Sequence, residues 1–313
     1  MNTVKNYLSL IKFSHTIFAM PFALIGFTLG IFYDPNFEGQ WNLNKTIGWA
    51  RHDYFGDSRS WTSLFIKLIL VVGCMIFARS AAMAFNRYLD RKFDAKNPRT
   101  AIREIPAGIL KADRVLLFTI ICSLLFCVCA FFINLLCFYL SPIALFVVLG
   151  YSYTKRFTAL CHLILGLGLS LAPIGAFLAV TGQFDLIPIL FSLTVICWVS
   201  GFDIIYALQD IDFDKSNKLY SIPAAMGKNK ALKISELLHI GSAGLIISVG
   251  IAGNFHWLYW IGVVVFISML LYQHAIIKPT DLSRVNLAFM TANGIASIFF
   301  AGFVIGDLLV YRY

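Results

Sequence analysis

Charge is what this chain has least of: Asp, Glu, Lys and Arg make up 13% of its 313 residues, while 59% are hydrophobic. That balance, with a mean hydropathy of +0.79, excludes an ordinary soluble domain and describes a polytopic membrane protein. Acids are scarcer than bases, 16 against 25, which leaves a net charge of +9. A basic excess can mark a nucleic-acid binder, but cations sorted to one side of a membrane explain it with no nucleic-acid partner. The sequence also lacks patterned cysteine. Cys74, Cys122, Cys127, Cys129, Cys137, Cys161 and Cys197 all fall in apolar runs, with no CxxC and no Cys/His metal spacing, so they read as small buried hydrophobes. The first apolar run is too long for a signal core and has no convincing small-residue cleavage site, so it is expected to stay as a membrane helix.

Apolar runs lie at 13–33, 64–88, 115–133, 135–153, 161–181, 185–208, 235–253, 255–277 and 286–310. Each approaches the roughly 20 residues that cross a bilayer as a helix. The expectation is an all-α protein with nine transmembrane helices around a central cavity, forming one domain over 1–313. One boundary rests on a single residue: Asn134 is the only polar break in 131–139, and one span there would invert every later segment. The basic residues support nine. The N-terminus, the loops 89–114, 154–160, 209–234 and 278–285, and Arg87 together carry 19 of the 25 Lys and Arg, which places the N-terminus in the cytoplasm and the C-terminus outside. The stretch 34–63, with Trp41, Trp49, Tyr54, Phe55 and Trp61, reads as an external segment lying at the interface.

Against this apolar background the acids are concentrated. Asn86, Asp90 and Asp94 close the second run at four-residue spacing, and Tyr206, Asp210 and Asp214 repeat it 120 positions later, with Asp203 just before. Four helical residues turn about 400° and climb about 6 Å, so each set makes a drifting row on one face. Six of the 16 acids, counting Asp212, sit in these two segments. A carboxylate in hydrocarbon costs about 3 kcal/mol even on lenient scales, so such acids face protein, water or a bound ion. Oxygen-only donors suit magnesium, which completes its shell with substrate phosphates. Two facing rows therefore suggest a diphosphate held through metal, with Arg91, Lys92, Arg99, Arg103, Lys155 and Arg156 available for its remaining oxygens. For Arg99, Arg103, Lys155 and Arg156 a pure topology signal is the competing reading. Both rows end an even-numbered span, and the loops that follow contain Glu104-Ile105-Pro106-Ala107 and Ser221-Ile222-Pro223-Ala224, which suggests two similar helical halves.

The strings NRYLDRKFD (86–94), NPRTAIREIPAG (97–108), YSYTKRFT (151–158) and DIIYALQDIDFD (203–214) resemble the UbiA family of intramembrane prenyltransferases along nearly the whole chain. The segments FSHTIFAMPFA and YSYTKRFTALCHLILGLGLSLAPIGA are similar to its 4-hydroxybenzoate polyprenyltransferase-like branch. The resemblance implies a ring of nine helices around a cavity open sideways to lipid. It implies magnesium-diphosphate binding by Asn86, Asp90, Asp94, Asp203, Asp210 and Asp214, with Tyr206 in the same pocket and Arg91, Lys155 and Arg156 near the phosphates. The implied reaction moves a polyprenyl chain from its diphosphate to the ring of a small aromatic acid, at the cytoplasmic side of a bacterial inner membrane. The acceptor stays open between 4-hydroxybenzoate, leading to ubiquinone, and a dihydroxynaphthoate, leading to menaquinone, with haem or a lipid headgroup further off. An ion-coupled transporter also places acids in membrane helices, but does not need paired acid rows followed by basic loops.

Three residues remain. His15 and His162 have no partner at metal-ligand spacing and read as satisfied or interfacial histidines. Arg79, seven residues before Asn86 and on nearly the same helix face, has two readings: a partner for the acceptor carboxylate, or an ion pair with an acid row.

Overall fold

Asn134 does what its isolation in the sequence demanded. In the computed structural model, which describes residues 2–11, 19–32 and 60–311, it stands between α4 (Ala112–Ile133) and α5 (Leu135–Thr154) in an extended conformation. Its side-chain oxygen accepts from the Cys137 amide at 2.8 Å, which caps α5, while its amide nitrogen donates to the Leu178 carbonyl at 2.9 Å. One polar side chain thus ends one helix, starts the next and ties the turn to α6 (Cys161–Thr181).

The described elements before it are α1 (Asn2–Leu10), α2 (Met20–Ile31) and α3 (Trp61–Asp94). Helix α3 starts where the Ser60 hydroxyl accepts from the Ser63 amide, and it runs unbroken for 34 residues. At 1.5 Å per residue that is about 50 Å, well beyond a hydrocarbon core of about 30 Å, so its last turns project past the apolar layer. After α6 come α7 (Leu186–Ala207), a tight 3₁₀ turn over Leu208–Asp210, α8 (Ile211–Ser216) and α9 (Ile222–Ala252). Helix α9 bends at Gly227, whose φ of 79° a residue with a Cβ rarely adopts. The chain ends in α10 (Trp257–Ile276), the single turn α11 (Val285–Leu287), a π-turn over Ala288–Ala292, and α12 (Asn293–Tyr311).

Eight of these helical segments are long and apolar enough to cross a membrane, and the shorter apolar Met20–Ile31 stands where the first span was expected. The count agrees with nine. Residues 12–18, with His15, lie outside the described residues, as does nearly all of the 34–63 stretch. Two spans differ from their apolar runs: α3 continues to Asp94 and carries its acid row inside the helix, and α9 begins at Ile222 rather than 235.

Lipid is as apolar as the helices, so close packing and interhelical hydrogen bonds must hold the bundle. A Cβ on Gly26 would come within 2.0 Å of the Pro173 carbonyl oxygen, so α2 and α6 touch backbone to backbone there. Phe22, Trp198, Phe266 and Phe300 interlock with ring centroids 5.3–6.4 Å apart. The Trp198 indole and the Gln273 amide both donate to the Asn293 side-chain oxygen, at 2.9 and 2.8 Å, joining α7, α10 and α12. Asn293 in turn donates to the Phe289 carbonyl in the π-turn. At the opposite end, buried Asp307 of α12 accepts from the backbone amides of His256 and Tyr259 and so caps α10 from a neighbouring helix.

Candidate active site

Acids from both rows meet at one rim. The first row rides the final turns of α3, where Asn86 donates to Asp90 at 3.0 Å and holds it on the helix face. The second row is not one helical face: Asp203 lies on α7, Asp210 in the 3₁₀ turn and Asp214 on α8. The link between the rows comes from two consecutive residues at the end of α5. Lys155 reaches Asp214 at 2.7 Å, and Arg156 reaches Asp90 at 3.2 Å and the Leu89 carbonyl at 3.0 Å. Because adjacent side chains hold opposite rows, the two rows lie within the combined reach of one lysine and one arginine.

The loop after α3 completes the rim. Arg103 folds back onto Asp94 at 2.6 Å, and Arg99 crosses to the other row, pairing with both oxygens of Asp210 and donating to the Tyr206 hydroxyl at 3.0 Å. Asp214 is wholly buried and also accepts from Ser221. Burial by itself disfavours the Lys155 ammonium, but the Asp214 carboxylate outweighs it and holds that pKa above the usual lysine range. Arg99 behaves alike, with Asp210 overcoming desolvation.

The expected metal cluster takes a different form here. Among the described residues no group of three or more His, Cys, Asp or Glu side chains is placed to hold a metal ion. Carboxylates gathered at one rim repel one another, and each lowers that energy by taking its own cation, so the rows are laid out as ion pairs. The donor set still suits a hard divalent ion: all its ligands are oxygens, and one of them, Asp94 Oδ2, is buried without a hydrogen-bond partner.

Behind the rim lies a cavity of about 520 Å³, lined mainly by apolar side chains of α3, α5 and α6 and by the polar side chains of Arg79, Asn86, Arg87, Arg103, Asp203 and Tyr206. Tyr206 is pinned there by Arg99 and by Phe289, whose ring centroid is 4.4 Å away. Arg79 forms no ion pair with either acid row, and its Nε is buried with no hydrogen-bond partner among the described residues.

Three placements depart from the sequence reading. Arg91 is not brought to the acids: it donates to the Tyr88 carbonyl and lies over the Tyr88 ring at 4.3 Å. His162, read as a bland histidine, is indeed satisfied, but its partner is Asp203, with Nδ1 2.7 Å from the carboxylate and the Ile222 amide donating to Nε2. No spacing could have shown a contact between helices 41 residues apart. Arg87, counted as a topology charge, is 4% exposed and lines the cavity.

A family model described as the UbiA prenyltransferase family matches residues 46–301. A protein of Tolumonas auensis named 4-hydroxybenzoate octaprenyltransferase is 32% identical over 243 residues, covering 78% of this chain and 84% of its own. One of the same name from Nitrosospira multiformis is 31% identical over 246 residues, covering 78% and 83%. The apo structure of a UbiA homolog from Aeropyrum pernix K1 superposes with a TM-score of 0.77 at 28% identity, covering 94% of this chain and 98% of that one. A UbiA homolog from Archaeoglobus fulgidus, bound to DMAPP and Mg2+, gives 0.71 at 21% identity over 97% and 99%.

Proposed function

Because the chain belongs to the UbiA prenyltransferase family, we propose that it transfers a polyprenyl group from a polyprenyl diphosphate to the ring of 4-hydroxybenzoate, a step in ubiquinone synthesis. The observation that carries this reading is the rim itself: two acid rows, each acid paired with Lys, Arg or His, at the mouth of an apolar cavity that holds an unpaired arginine. In this reading Asn86, Asp90, Asp94, Asp203, Asp210 and Asp214 would hold magnesium, which would supply positive charge against the diphosphate leaving group. Arg99, Arg103, Lys155 and Arg156, which pair with these acids in the structure, would be free to donate to diphosphate oxygens wherever the acids hold metal. The same residues thus balance charge in both states. Tyr206 and Phe289 wall the site where the allylic carbon loses its leaving group, and Asp203 is held in place by His162. Arg79, deeper along α3, takes the acceptor carboxylate and turns the ring edge beside the hydroxyl toward that carbon. A prenyl tail gains about 0.8 kcal/mol per buried CH₂, so it lies along the apolar wall and out into lipid. The whole chain acts as one transmembrane domain, in the inner membrane, with the rim on the cytoplasmic side.

The test is product identification. Membranes containing the protein, given labelled prenyl diphosphate, magnesium and 4-hydroxybenzoate, should form a prenylated 4-hydroxybenzoate, and EDTA should stop its formation. A labelled lipid formed only with a dihydroxynaphthoate would move the chain to the menaquinone route. No labelled product with any aromatic acid would remove the aromatic acceptor altogether.

A further inference from the structure

Arg79 and Arg87 both line the cavity with a buried, unpartnered Nε, and Arg87 is the more deeply buried of the two. Arg87 is 4% exposed, it lines the cavity, and its Nε is shut away from water without a hydrogen-bond partner among the described residues. A guanidinium is never discharged at physiological pH, so it must find an anion or remain a buried, uncompensated charge. Its charged surroundings do not supply one: Arg103 repels it, while Asp94 and Glu104 attract it without forming an ion pair or hydrogen bond with it. Neither acid is paired with Arg87, and each has another partner. Asp94 holds Arg103 at 2.6 Å, and Glu104 accepts from the Ser9 hydroxyl at 2.5 Å.

The position along α3 narrows the choice of ligand. Arg87 directly follows Asn86 and lies eight residues beyond Arg79, about 12 Å of helix rise toward the rim. The acceptor carboxylate at Arg79 is therefore too deep for it. The anion at its own depth is the diphosphate. Arg99, Arg103, Lys155 and Arg156 must each leave a carboxylate before they can take a phosphate oxygen, whereas Arg87 has nothing to leave.

We propose that Arg87 binds the diphosphate of the prenyl donor directly, as a preformed guanidinium contact on the cavity side of the metal-binding rows. The proposal rests on the reading of this cavity as a prenyl-diphosphate site. A guanidinium offers two parallel N–H donors to two phosphate oxygens, which an ammonium cannot reproduce, so charge alone does not replace it.

Calorimetry with inorganic pyrophosphate and magnesium, on the full chain purified in detergent, tests this without turnover. Wild type should bind, Arg87→Met should bind pyrophosphate at least tenfold more weakly, and Arg87→Lys should fall between them. All three should bind 4-hydroxybenzoate equally. Wild-type pyrophosphate affinity in Arg87→Met, or a loss confined to 4-hydroxybenzoate, overturns the assignment. If Arg87→Met does not fold, Arg87→Lys decides: weakened binding supports the forked contact and wild-type affinity overturns it. Failure of the wild-type protein to bind pyrophosphate overturns the donor site itself, and the two failures are thereby told apart.

Discussion

Arg79 and Asp210 show how differently two charged side chains can be kept in one membrane protein. Asp210 is supported by Arg99 and by the Asn97 amide, so its charge is balanced within the structure. Arg79 has its Nε buried and unpaired beside the cavity, so nothing among the described residues balances its charge. Replacing Arg79 by Met keeps most of the apolar stem and deletes the charge, which separates binding from packing. The Michaelis constant for 4-hydroxybenzoate should rise about tenfold to a hundredfold, the worth of one charge-assisted hydrogen-bonded pair, while that for the prenyl diphosphate stays within about twofold. Steady-state kinetics with each substrate varied in turn decides it. An equal loss for both substrates would make Arg79 a structural residue and leave the acceptor carboxylate to Arg156. Arg79 was visible in the sequence because an arginine inside an apolar run is costly wherever it points. Arg87 was not, since at the end of a run it looks like one more cytoplasmic charge, and only its burial separates the two cases.

At the scale of the helix, the legible features were those written in local spacing. The first acid row could be placed because α3 is one continuous helix from Trp61 to Asp94, so a four-residue repeat does mean one face. The same spacing misled in the second row. The chain leaves α7 at Ala207, tightens into a 3₁₀ turn and restarts at Ile211, which swings Asp210 toward Arg99 and Asp214 toward Lys155. Likewise Ile-Pro-Ala occurs twice in sequence, but the first copy sits in a turn and the second opens α9, where Ser221 caps the helix and Pro223 stands in its first turn. A proline suits either place, so the tripeptide carried no structural message. The α4/α5 break was legible because one polar residue had to account for it. Asn134→Ala removes the cap on Cys137 and the bond to Leu178, so it should destabilise the folded protein by about 1–2 kcal/mol. Asn134→Asp keeps the cap but loses the donor to Leu178, and should fall between. Thermal unfolding in detergent ranks the three proteins, and an unchanged midpoint for Asn134→Ala would mean that the break is held by helix packing alone.

The molecule as a whole is a device for keeping charge at one membrane face and apolar length behind it. Both acid rows, their cationic partners and the kinked start of α9 occupy the same end of the bundle, while the cavity runs back from them between α3, α5 and α6. The opposite end has a different chemistry: there the α4/α5 turn and the start of α10 are secured by Asn134 and Asp307, which satisfy backbone groups instead of pairing with cations. Cations belong with the cytoplasm because translocating them is disfavoured during insertion, so the rim should face inward and nine crossings should carry the C-terminal helix outward. A cysteine placed at exposed Lys228, just past the α9 kink, reads the rim side. It should react with a membrane-impermeant maleimide in inside-out vesicles and stay unlabelled in intact cells. Alkaline phosphatase fused after Tyr311 reads the far end of α12 and should be active, because it folds only outside the cytoplasm. Eight or ten crossings would put that fusion on the same side as α1 and leave it inactive. Labelling of Lys228→Cys from outside would reverse the whole molecule and set the diphosphate site facing away from the compartment where the charge distribution places it.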